Sequence, residues 1–199
     1  MVFKKNIGLL IALMLLQVNL TGQPNIGYGI DSVQANEIFT YLQNVRQKNI
    51  PHSDPMYKYV KGKDNSPLLI WNNTLAKVAQ ARVEDLVKNN YFDHVDKSDK
   101  AVNYYISEAG YALPENWLED PSDNYFESLQ AGASNGIESV RYLIIDKGIP
   151  GHGHRKHLLG QDEWNVKNVD FGAAFYRVPP GIKTDYPTYT VIIIARHKY

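Results

Sequence analysis

Apolar residues recur along this chain with two different periods, and the change of period divides it. Ile38, Tyr41, Leu42 and Val45 stand at i, i+3, i+4 and i+7, the spacing of one buried helical face, and Asp31 or Ser32 can cap that helix. Leu75, Val78, Ala79, Arg82, Val83 and Leu86 repeat the spacing, with Asn72 or Asn73 as cap and Asn89-Asn90 as stop. Trp71, just ahead of that cap, is expected to pack back on the second helix. A short third helix is predicted over residues 101–111, ending at Gly110. Ile137, Val140, Leu143 and Ile144 share the face of a fourth helix, closed by Gly148 and Pro150. Residues 49–67, with three prolines, and residues 112–124, rich in Pro, Asp, Asn and Ser, read as loops.

The last third is β-rich. Val169–Val178 and Thr188–Arg196 are separated by Pro179-Pro180-Gly181 and a polar loop. Val191-Ile192-Ile193-Ile194 is continuously apolar, as in a central strand covered on both faces. Helices first and strands last predict an α+β fold, a three-layer α-β-α sandwich with a small antiparallel sheet between helical layers.

Composition narrows the function classes. Lys4 and Lys5 followed by the apolar run Ile7–Leu16 read as a secretory signal, with Gly22 a suitable small residue before a cut; an uncleaved anchor is the alternative. The run is shorter than the roughly 20 residues of a membrane span, and no cysteine is present for a lipoprotein anchor. The expected organisation is a signal peptide at 1–22, a flexible lead-in at 23–35 and one domain at 36–199. The product is then secreted or periplasmic, and not an integral membrane protein once cleaved. With 21 basic and 21 acidic residues the formal charge is zero, so nothing electrostatic recommends nucleic acid as a partner. Without cysteines, stability has to come from core packing.

Candidate chemistry concentrates in Gly151-His152-Gly153-His154-Arg155-Lys156-His157, which holds three of the six histidines. His94 and Glu127 are further candidates elsewhere in the chain. Histidines beside carboxylates suit a metal site or acid–base work. Nucleophile signatures are missing: there is no cysteine, no G-x-S-x-G elbow and no H-E-x-x-H. Ser128, next to Glu127, is expected to face away from it, because strand neighbours point to opposite faces.

Six motifs in order carry a resemblance. Leu69-Ile70-Trp71-Asn72-Asn73-Thr74-Leu75-Ala76 is similar to L-x-W-x-x-x-L-A, and Tyr91-Phe92-Asp93-His94 to F-x-H. Ala109-Gly110-Tyr111 is similar to A-G-Y, and Phe126-Glu127-Ser128-Leu129 stands where G-E-N-I is expected. Asp146-Lys147-Gly148-Ile149-Pro150 with Gly153-His154-Arg155-Lys156-His157-Leu158-Leu159 resembles D-x-G-x-P…G-H-R-x-N-L-L, and Val169–Ala174 resembles the closing V-G-x-A strand. Together, from about residue 36 to 197, they resemble the CAP domain, the SCP-like extracellular family of cysteine-rich secretory, antigen-5-type and pathogenesis-related proteins, in its cysteine-free bacterial form. Phe126 and Ser128 depart from the family's Gly and Asn, and the 112–124 loop is longer than usual.

The resemblance implies a central cleft of two histidines and two acids. Residue by residue these are His94, His154, Glu127 and Asp146, with His94 and His154 as metal ligands in members that hold a divalent cation. Such a group can bind Zn2+ or another divalent cation, perform acid–base work, or be a self-satisfied polar network that only fixes the fold. The leading reading is a secreted binding or interaction module with an unknown small-molecule, lipid or protein ligand, expected to be monomeric. The rival is a metal-assisted hydrolase of protease or esterase type, in which His94, His154 and one of Glu127 and Asp146 would hold zinc and the other acid would be the general base for a bound water. The two imidazoles are expected within about 8 Å of each other, near enough to share one ion. His152 is expected in solvent, His157 on the other side of its turn from His154, and Arg155 in a structural pair with an acid. His52 and His197 are expected to be ordinary surface residues.

Overall fold

The computed structural model describes residues 27–196. The signal-like segment 1–22 and His197 lie outside them. In chain order the elements are β1 (Gly29–Ile30), α1 (Ser32–Arg46), α2 (Tyr57–Val60), β2 (Ile70–Trp71), α3 (Asn73–Lys88), α4 (Val102–Glu108), β3 (Glu127–Ala131), α5 (Gly136–Ile145), α6 (Gly153–Leu159), β4 (Asp170–Arg177) and β5 (Thr188–Ala195). Short polar side chains start the long helices. The Asp31 carboxylate accepts from the Gln34 N–H at 3.1 Å, Asn72 Oδ1 accepts from Thr74 and Leu75 at 2.9 and 3.1 Å, and Asn135 Oδ1 accepts from Glu138 at 2.8 Å. Each satisfies N–H groups that have no partner within the helix.

The sheet runs β1-β4-β5-β3, with every pair on that path antiparallel. β2 departs from the expected pattern, because its two residues pair with β4 in parallel. β5 sits between β4 and β3 and is buried at all eight positions. Alternate residues serve opposite layers. Phe171, Ala173, Phe175, Ile192 and Ile194 join α1, α5 and α6 in one core, while Ala174, Val191, Ile193 and Ala195 join α3 and α4 in the other. Two covered faces are the physical reason for an unbroken apolar strand. The architecture is the expected three-layer α-β-α sandwich.

Several local expectations change. Residues 49–67 are not all loop, since Tyr57–Val60 forms one helical turn with Met56 and Val60 buried. Trp71 does not pack back on α3 alone. It lies in β2, and its ring meets Phe39 of α1 at 5.6 Å and Phe171 of β4 at 5.8 Å, while its indole N–H donates to Asn73 at the start of α3. Within the stretch read as a lead-in, Gly29 and Ile30 pair with Arg177 and Tyr176 of β4.

Candidate functional site

The edge strand β3 aligns the site. Glu127, its first residue, faces α3, and the next residue, Ser128, faces α6, as the two-residue strand period requires. The Glu127 side chain is fully buried, and both its oxygens are engaged. Oε1 accepts from Arg82 Nε at 3.0 Å, and Oε2 meets His94 Nδ1 at 3.0 Å. Arg82 also donates to the Tyr91 hydroxyl at 2.8 Å and to the Asp93 and His94 carbonyls at 3.3 and 3.1 Å. One guanidinium therefore neutralises the buried carboxylate and pins the loop that carries His94. Burial alone would lower the Arg82 pKa; the facing Glu127 carboxylate and the Tyr91 oxygen outweigh it, and the net shift is upward.

The second half is built at the junction of α5 and α6. α5 ends in Asp146, which sits beyond the helix in the left-handed region at φ 51°. Aspartate tolerates that conformation better than most residues, and it turns the carboxylate toward α6. Asp146 Oδ1 meets His154 Nδ1 at 2.8 Å, and Oδ2 accepts from the Arg155 backbone N–H at 3.3 Å. The Arg155 side chain is structural, but its partners are carbonyls and not an acid: Nε and Nη2 donate to Ile144 and Ile145 at 2.6 Å each. It thus satisfies the open C-terminal end of α5.

The two halves meet across the sheet edge. The His94 and His154 rings are 6.5 Å apart between centroids and inclined by 31°. Their side chains remain 36% and 24% exposed, whereas the Glu127 and Asp146 side chains are at 0% and 1%. Each carboxylate fixes an imidazole through Nδ1, which leaves Nε2 as the second ring nitrogen. Among the described residues neither Nε2 has a hydrogen-bond partner. All four residues proposed from sequence are therefore brought together, with the histidines partly exposed and the acids buried behind them. Each of the four carboxylate oxygens has a hydrogen-bonding partner. Among the described residues no group of three or more His, Cys, Asp or Glu is placed to hold a metal ion, so a cation here would have two protein nitrogens.

The other histidines separate from this pair. His152 is exposed, with its Nδ1 3.3 Å from the Asp146 carbonyl. His52 stacks on Tyr57 at the surface. His157 points into the interior, where the Ser128 hydroxyl lies 2.7 Å from Nδ1 and the Ile194 carbonyl 3.3 Å from Nε2. Burial lowers its pKa to about 4. In the neutral ring, Nε2–H donates to Ile194 and Nδ1 accepts from Ser128. This bond ties α6 to β3, one turn after His154 and one residue after Glu127. Sequence reasoning missed Arg82 and the Ser128–His157 pair. The available signal was a charged residue on the apolar stripe of α3 and a histidine among the leucines of α6.

The family model described as "CAP: Cysteine-rich secretory protein family" matches residues 40–186, more than half of the chain. No match is found among curated protein sequences. Two solved structures share the fold. One is an extracellular protein containing an SCP domain from Bacillus anthracis, at TM-score 0.53 and 21% identity over 83% of this chain. The other is an outer surface protein from Borrelia burgdorferi, at TM-score 0.55 and 18% identity over 87% of this chain. The match spans 41% of the Bacillus chain and 100% of the Borrelia chain. With the family's model matching from α1 through β4 and the following loop, over residues 40–186, this chain belongs to the cysteine-rich secretory protein (CAP) family.

Proposed function

We propose that the chain is an extracellular or cell-surface binding module whose cleft takes a divalent cation such as zinc on His94 and His154. One observation carries the reading: both imidazoles are partly exposed, with Nδ1 held by a buried carboxylate and Nε2 without a hydrogen-bond partner among the described residues. That is how proteins orient histidine for a metal, since a hydrogen bond at one nitrogen sets the tautomer and raises the basicity of the other. Two nitrogen ligands leave positions on the cation for water or for a donor atom of a small-molecule, lipid or protein partner. The two similar structures are an extracellular protein and an outer surface protein, which supports reading residues 4–16 as an export signal. Among the described residues no helix is long and apolar enough to cross a membrane.

The metal-assisted hydrolase is less well supported. It needs a carboxylate able to take a proton from water, yet Glu127 is shared between Arg82 and His94, and Asp146 between His154 and the Arg155 N–H. Either acid would have to break a charge-assisted bond to act as a base.

Calorimetric titration with zinc tests the binding reading. His94→Ala and His154→Ala remove most of the affinity, His152→Ala leaves it nearly unchanged, and affinity falls on acidification because a protonated imidazole has no lone pair to give. Glu127→Gln and Asp146→Asn weaken binding by about 10–100-fold without abolishing it. Equal affinity in all three histidine variants would assign the four residues to a polar network that only fixes the fold.

A further inference from the structure

A second candidate site lies at the end of α1, and none of the four cleft residues lines it. A groove of about 460 Å³ is bounded by the 60–66 loop, the last turn of α6 and the segment that follows it. Arg46 forms part of its floor and is 1% exposed. Its one hydrogen bond runs from Nη1 to the Leu158 carbonyl at 3.3 Å, while Nε and Nη2 are buried with no partner. Burial lowers its pKa to about 10, so it remains a cation at neutral pH.

The identity of the two idle donors is informative. Nε–H and Nη2–H point the same way and form the side-on fork that receives a carboxylate through two parallel bonds. Other arginines of this domain fill that fork with protein oxygen. Arg155 uses it on the Ile144 and Ile145 carbonyls, and Arg141 on the Tyr41 hydroxyl and the Asp54 carboxylate. A buried cation whose best donor pair is unmatched is costly unless an anion completes it. Gly160 lies against the fork. It has φ +60°, and a Cβ there would stand 3.1 Å from Nη2. This glycine turn is what must yield for a ligand oxygen to arrive.

The mouth of the groove selects the rest of the ligand. Asp64 and Glu163 are exposed there beside Lys63, while Asp162 is committed to the Trp164 and Asn165 N–H groups. Two free carboxylates at the entrance disfavour a multiply charged phosphate and favour a ligand with a cationic end. We propose that the groove binds a small carboxylate that also carries an amino group, its carboxylate received by the Nε–Nη2 fork of Arg46 and its ammonium held by Asp64 and Glu163.

The test follows the Arg46 Nε–H and the backbone amides in nitrogen–proton spectra of the whole domain, during separate titrations with glycine, acetate and inorganic phosphate. Glycine should shift the Arg46 Nε–H and residues 159–163 saturably, with acetate weaker and phosphate weakest. Arg46→Lys keeps the charge but loses the fork, and should weaken glycine by roughly tenfold or more. Asp64→Asn with Glu163→Gln should weaken glycine and leave acetate unchanged, which keeps the test decisive if Arg46→Lys does not fold. His94→Ala should change none of this, so the groove and the cleft are judged separately. An Arg46 Nε–H that ignores all three ligands and keeps a contact to water would mean that an interior water satisfies the fork, and the site would be withdrawn. Phosphate binding more tightly than glycine would overturn the assignment of the ligand.

Discussion

Single side chains in this domain carry charge into places where water does not follow. Arg82 is 2% exposed, and its partner Glu127 is fully buried at the side chain. Replacing Arg82 by Met strands that carboxylate, and the expected cost is about 3–5 kcal/mol in denaturant unfolding. Adding Glu127→Gln should recover part of the loss, giving a coupling of about 1–3 kcal/mol in a double-mutant cycle; simple additivity would show that the pair is not what joins α3 to β3. His157 offers a pH readout. Its folded pKa, about 4, lies below the unfolded value of about 6.5. The unfolded chain therefore takes up the proton first as pH falls, and the stability contributed by the neutral ring, present above about pH 6.5, is lost toward pH 4 at about 1.4 kcal/mol per pH unit. Between pH 7 and 5 the wild type should lose about 2 kcal/mol more than His157→Gln. Parallel pH profiles for the two proteins would refute that account.

At the scale of elements, the spacing of α3 from the sheet is set by a missing side chain. A Cβ on Gly172 of β4 would meet the Ala76 nitrogen and the Leu75 carbonyl carbon at 2.3 Å each, both backbone atoms that cannot rotate away. Gly172→Ala should cost about 3 kcal/mol and also weaken zinc, because α3 brings Arg82 to Glu127. Gly110→Ala, which has positive φ but open space around it, should cost about 1 kcal/mol and leave zinc binding alone. Equal losses at both glycines, read by chemical denaturation, would mean that α3 is free to shift. Elements also divide by how legible they were. α1, α3, α5, β4 and β5 each hold enough turns or alternations for their own period to identify them. β1 and β2 are two residues long and exist only because β4 lies beside them. The single turn of α2 is hidden among prolines and polar residues.

For the molecule as a whole, the cleft is a seam. Glu127, in the edge strand of the sheet, faces the α3 side with His94, while Asp146 and His154 belong to the layer of α5 and α6. A cation shared by the two imidazoles would tie the layers together and stabilise the fold by mass action, about 2.7 kcal/mol at a free zinc concentration 100 times Kd. Thermal unfolding with zinc and with a chelator should show this gain in the wild type and not in His94→Ala or His154→Ala. The metal-free domain should stay folded, since its two cores are closed without the cleft. Unfolding on chelation would instead make zinc a structural ion.

The layers and the helix caps were written in local order. Spacing of apolar residues needs only a few neighbours to be read, and the covered strand Val191–Ile194 announces two faces by itself. His94, Glu127, Asp146 and His154 were nameable because their motifs follow one another in a family's order. What surrounds them, only the fold decided. It buries both carboxylates, sets Arg82 and the Arg155 N–H on the oxygens that the imidazoles leave, and gives each imidazole a carboxylate at Nδ1. Arg46 and Arg82 look alike in sequence, each a cation on the apolar stripe of a helix. Folding gives one of them Glu127 and leaves the other's fork empty, because the partner of a buried charge comes from a distant segment and no local pattern encodes it.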